Sequence, residues 1–158
     1  MKSTARGAIE LERRIKAPPE TVFSYFTDPD RYRQWLGVDA EVDARPGGLF
    51  RVTTTGRSRH VARGEYVEVD PPHRVVFTWG WEQADSLVDG QAGLLPGTTT
   101  VEVVLIADGD STILRMRHSG LPTEPACRIH DWGWDLTLGR LEVVAAGGDP
   151  GPSPLEEL

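Results

Sequence analysis

The chain has one cysteine, Cys127, so no intrachain disulfide can form. Nothing beside it in sequence lowers a thiol pKa, and Cys127 therefore reads as a small apolar residue, not a nucleophile. Positive charge is also short. Seventeen Lys and Arg face 24 Asp and Glu, for a net charge of -7. Nucleic-acid binding needs a basic footprint, and so does docking on an anionic lipid surface; neither is expected here. No stretch approaches the ~20 apolar residues of a membrane span. The opening "MKSTARGAIELERRI" holds no apolar run of the signal-peptide kind, so a soluble, cytoplasmic protein is expected. GxSxG, Walker, CxxC and dinucleotide GxGxxG patterns are missing, and "RPGGLF" reads as a turn. No Cys/His spacing points to a metal, His60 and His73 fall away from the other histidines, and no cofactor is implied.

What remains is an ordinary globular composition. The chain has 158 residues, 39% apolar and 26% charged, enough for one domain with a core of its own. "AIELERRI" alternates, with Ile9, Leu11, Arg13 and Ile15 on one side, a half-buried strand. "APPETVF" has the prolines and Glu20 of a helix start, with Val22, Phe23 and Phe26 as its apolar face. "TDPD" stops that helix, and a second runs from Arg31 to about Leu36. Six further strands follow. Two are joined at "RPGG", two are broken at "DPPH", and two flank "DGD". Val75, Phe77, Trp79 and Trp81 share a face, as do Leu114, Met116 and His118. A final helix is predicted from about Glu124 to Ala146. Strands in a run with helices segregated at the ends mean α+β with an antiparallel sheet. Residues 1–7 are expected to be a flexible N-terminus, 8–146 the domain, and 147–158 a disordered tail.

The final helix carries "HDWGWDLTLGRL". His130, Trp134, Leu138, Leu141 and Ala145 form one stripe, which predicts the face turned to the sheet. Gly133 and Gly139 interrupt it, each at a cost of roughly 1 kcal/mol against alanine. They are expected to let other backbone approach closely.

Six segments then occur in one order: "APPETVFSYFTDPDRYRQWLG", "PGGLFRVT", "GEYVEVDPPHRVVFTW", "GTTTVEVVL", "STILRMRHSGLP" and "HDWGWDLTLGRL". In this the chain resembles the START-like (SRPBCC, helix-grip) superfamily over about residues 8–146. Within it, the chain is similar to bacterial proteins related to the heat-shock protein 90 ATPase activator. The resemblance implies a β-α-α-β6-α fold, with about seven antiparallel strands curved around the C-terminal helix. It also implies a hydrophobic cavity between sheet and helix, lined by Trp134. The superfamily includes lipid carriers, hormone receptors, polyketide cyclases and co-chaperone domains, so fold does not fix function. The 82–97 segment is long and apolar for a hairpin and reads as a lid over the cavity mouth.

On this reading Phe77, Trp79, Trp81, Met116, His118, His130, Trp134 and Leu138 are the candidate ligand-binding residues. The tryptophans serve as ligand-stacking walls or as core, which are continuous in such a fold. His118 and His130 are the candidates for a general acid or base. The favoured alternative is structural: a histidine bonded to the "SGLP" backbone that holds the helix start. Arg13 sits on the apolar side of its strand and needs either a carboxylate, a ligand anion or an escape to water; the last is favoured. Arg51 poses the same question on a later strand. Of Glu65 and Tyr66 only one can face inward. Asp131 and Asp135 read as a solvated face. Binding of a small hydrophobic molecule, lipid-like or aromatic, is the leading function. A cyclase- or hydrolase-like enzyme using the same cavity, with His118, His130, Tyr66 or Arg13, comes second. A co-chaperone module with a chaperone partner comes last. An open sheet also has edges through which a homodimer could pair.

Overall fold

A computed structural model describes residues 2–5, 7–54, 60–83 and 94–152. The element order is β1 (Lys2–Ala5), β2 (Ala8–Ile15), α1 (Pro19–Ser24), α2 (Pro29–Trp35), β3 (Asp39–Val42), β4 (Leu49–Thr53), β5 (Val61–Asp70), β6 (Arg74–Trp79), β7 (Thr99–Asp108), β8 (Ser111–Ser119) and α3 (Glu124–Ala145). All strands belong to one antiparallel sheet in the order β1-β2-β8-β7-β6-β5-β4-β3. The β-α-α-β6-α arrangement of the helix-grip fold is present. It gains one edge strand, β1, paired with β2 from Lys2↔Leu11 to Ala5↔Ala8. The expected lid and tail lie in part, at 84–93 and 153–158, outside the described residues.

Register explains which side chains meet. Ile9 pairs with His118, His118 with Val101, Val101 with Phe77, and Phe77 with Tyr66. This row crosses five strands on the inner face, and every member is at most 1% exposed. The alternation of each strand makes this automatic, since residues two apart share a face. The outer face carries the complementary row. Glu10 stands opposite Arg117 and Glu12 opposite Arg115, bonded at 2.7 and 2.8 Å. Arg74 bridges Glu102 and Glu68 farther along. These pairs are cross-strand neighbours in solvent, worth tenths of a kcal/mol each.

The helices close the inner face. Asp28 caps α2 by accepting a hydrogen bond from the Asp30 amide at 2.9 Å, and Thr123 caps α3 through the Ala126 amide at 3.1 Å. The turn between α1 and α2 is held from below. The hydroxyls of Tyr32 and Tyr66 both donate to the Phe26 carbonyl, at 2.6 and 2.8 Å. Burial holds both phenols above their ordinary pKa; the neighbouring hydroxyl adds to the rise at Tyr32 and opposes it at Tyr66. Of the pair Glu65 and Tyr66, then, the tyrosine is the inward residue. The final helix buries Ala126, Cys127, His130, Trp134, Thr137, Leu138 and Leu141 against the sheet. No helix among the described residues is long and apolar enough to cross a membrane.

Candidate functional site

The contact between α3 and the sheet is built from two hydrogen-bonded chains, each running through a buried histidine. In one, the Trp134 indole N–H donates to His118 Nδ1 at 3.0 Å. His118 must then carry its proton on Nε2, which lies 2.8 Å from Thr99 Oγ1. Thr99 passes its own hydroxyl proton to the Trp79 carbonyl at 2.8 Å. In the other, the Trp81 indole N–H donates to His130 Nε2 at 3.2 Å. His130 Nδ1 therefore holds the proton and donates to the Ala126 carbonyl at 2.8 Å. The two imidazoles are neutral, in opposite tautomers, and meet edge to face with centroids 5.1 Å apart.

This geometry decides their chemistry. Burial, with His130 nearby, drives the His118 pKa well below its usual value. Burial lowers His130 to about 4, against a smaller opposing effect from the Ala126 carbonyl. Each lone pair is occupied by an indole and each N–H by an oxygen. Neither ring is placed to take a substrate proton or a metal without breaking a buried bond. The two rings are bonded to Thr99, Trp134, Trp81 and the first turn of α3, and not to the expected "SGLP" backbone.

Beside this contact lies a small cavity of about 60 Å³ that opens to solvent on one side. Four of the sequence-predicted residues line it: Trp79, Trp81, His130 and Trp134. Phe77, Met116, His118 and Leu138 do not. They are fully packed in the core, where the inner row and the Trp79–Trp134 contact, 4.9 Å between centroids, leave no gap. The remaining wall comes from residues that sequence reasoning missed. Leu36 enters from the end of α2, Thr54 from the end of β4, and Ile129, Trp132, Gly133 and Thr137 from α3. His60 also lines it, edge to face with Trp81 at 6.2 Å, although the sequence placed it elsewhere. Partial burial lowers its pKa. Trp132 was the detectable signal, because it lies off the buried stripe and stays 44% exposed.

Gly133 needs correction as well. A Cβ built there meets nothing within 4 Å, and the same holds at Gly139. Neither glycine admits close backbone. At Gly133 the missing side chain is part of the cavity. Of the four buried indoles, three have an acceptor: Trp35 uses the Tyr25 carbonyl, and Trp81 and Trp134 use the histidines. The fourth, Trp79 Nε1, is buried with no hydrogen-bond partner among the described residues.

The arginine expectations also change. Arg13 does not escape to water. It crosses from β2 to α3, bonding the Asp135 carboxylate and carbonyl and reaching Glu142 at 3.4 Å. Asp135 is thereby a fastener and not merely a solvated residue. Arg51 is paired at the surface with Glu82, whose pKa it lowers.

Several solved structures are similar to this chain. An AHSA1-like protein of Rhizobium etli is 42% identical, with a TM-score of 0.67, 98% of this chain and 92% of that one covered. CalU16 of Micromonospora echinospora is 27% identical, with a TM-score of 0.69, 99% and 85% covered. A Chromobacterium violaceum protein is 25% identical, with a TM-score of 0.75, 90% and 99% covered. No curated protein matches the chain. Residues 16–146 match the family described as Activator of Hsp90 ATPase homolog 1-like protein. With its helix-grip fold, the chain belongs to that family, a bacterial branch of the START-like superfamily.

Proposed function

We propose that this protein binds a small apolar molecule at the α3 cavity, and that it is a binder and not a catalyst. One observation carries the reading. Gly133 is a helix-weakening residue in mid-helix whose absent side chain leaves open space where an apolar wall of indoles begins. Alanine would fit there and would favour the helix, so packing alone gives no reason for glycine. Trp79, Trp81 and Trp134 supply rigid faces on which a ring can stack, and Trp132 stands at the rim. The volume, less than half of the about 150 Å³ that encloses a benzene molecule, leaves no room for a lipid chain or a polyketide and seats part of a ring that enters from the open side. The engaged nitrogens of His118 and His130 speak against acid–base turnover.

The test is titration of the ¹⁵N-labelled protein with toluene, with amide and indole shifts followed by NMR. Saturable shifts at Ile129, Gly133 and the Trp81 indole are expected, and Gly133→Leu should abolish them while the protein stays folded. Unsaturable shifts, or shifts that survive Gly133→Leu, would overturn the reading and move attention to protein partners. Trp134→Ala is a poor test by comparison. It removes a buried indole at a cost of about 3–5 kcal/mol, and so confuses binding with folding.

A further inference from the structure

A second hollow, about 210 Å³, lies against the first and shares Leu36 and Thr54 with it as a common wall. Its far side is formed by Arg33 and Arg140. On α3 the residues Ile129, Gly133, Thr137 and Arg140 recur at i, i+4, i+8 and i+11, so one ridge of the helix passes along both hollows. From Gly133 to Arg140 the rise is about 10 Å.

The two arginines differ. Arg33 is committed to Asp30 and Asp39. Arg140 has no carboxylate partner among the described residues. Its guanidinium donates only to main-chain carbonyls: Trp35 and Pro150 at 3.4 and 3.5 Å, and Gly151 at 2.9 Å. In a chain of net charge -7, most described arginines on the sheet and helices are matched to acids and Arg31 lies over the Tyr25 ring, so a half-buried guanidinium that faces a hollow with no acid beside it stands out. Its planar fork suits a carboxylate. A single arginine without an acid partner at this hollow, in an acidic protein, suits a monoanion better than a phosphate dianion.

Building on the cavity reading above, we infer that the ligand is an aromatic carboxylic acid on a short tether, its ring at Gly133 and its carboxylate on Arg140. The experiment compares 4-phenylbutanoate with neutral 4-phenylbutanamide by NMR titration of the full chain. The acid should bind at least about tenfold tighter than the amide at low salt, and the preference should shrink toward about 1 M NaCl. Arg140→Gln should erase the preference while leaving amide binding unchanged, and Arg140→Lys should restore part of it. Gly133→Leu should abolish binding of both probes. Equal affinity of the two probes for the unmodified protein, or a preference that persists in Arg140→Gln, overturns the inference. In either case the cavity reading stands if Gly133→Leu still blocks both. If neither probe binds, the cavity reading and the inference fail together.

Discussion

The two buried histidines set a pH response that can be worked out from their bonds. Both have folded-state pKa values below the ordinary 6.5, His130 at about 4 and His118 well below in the same sense. Between those values the unfolded chain binds more protons than the folded one. The stability tied to the neutral rings is therefore complete above about pH 6.5 and is lost as pH falls from there toward 4. The slope is up to about 1.4 kcal/mol per pH unit for each ring. Urea unfolding across that range should show the loss, and His130→Gln should flatten it. ¹⁵N spectra at neutral pH should report His118 protonated on Nε2 and His130 on Nδ1, with neither ring titrating near its ordinary value. A titration near the ordinary value for either ring would contradict the two hydrogen-bonded chains. Arg13 makes a smaller claim at this scale. Its partners are half exposed, so Arg13→Ala should cost about 1 kcal/mol, and a double-mutant cycle with Asp135→Ala should return part of that as coupling. Zero coupling would mean that the pair does not fasten β2 to α3.

Among the elements, α3 and its glycines give the sharpest contrast. Gly133→Ala and Gly139→Ala should each raise stability by up to about 1 kcal/mol, because both Cβ atoms enter open space and the helix gains. Only the first should weaken toluene or phenylbutanoate binding. Gly37→Ala should do the reverse to stability. Its Cβ would stand 2.2 Å from the Thr53 carbonyl oxygen, so the chain after α2 must shift, at a cost of roughly 1–3 kcal/mol. Thermal melts of the three variants decide the matter together. The sequence marks all three residues identically, as glycine. What separates them is the distance to a strand or a void that the sequence does not contain.

At the scale of the whole molecule, β8 is the centre of connection, paired with β2 on one side and β7 on the other along nearly its full length. Its amides from Leu114 to Arg117 should exchange most slowly, near the global unfolding free energy, while those of the outer strand β3 should exchange faster. Equal protection in β3 and β8 would mean that the sheet opens only as a unit. The helices and the strands β2 to β8 were legible in the sequence, because period two and period 3.6 are local properties that each segment writes by itself; β1 was not, its residues reading as a flexible N-terminus, and the choice between Glu65 and Tyr66 stayed open. The stripe from His130 to Ala145 belongs to the same class of information. The sequence alone thus determined a β-α-α-β6-α domain and the residues of its core. Tertiary structure alone decided which core residues border a void. Phe77 and Trp79 alternate on the same strand face, yet one is sealed and the other lines the cavity. Tertiary structure also brought in Leu36, Thr54, His60 and Arg140, distant in sequence and unmarked by any motif. A cavity is a deficit in packing among several elements at once, and no single segment carries the record of it.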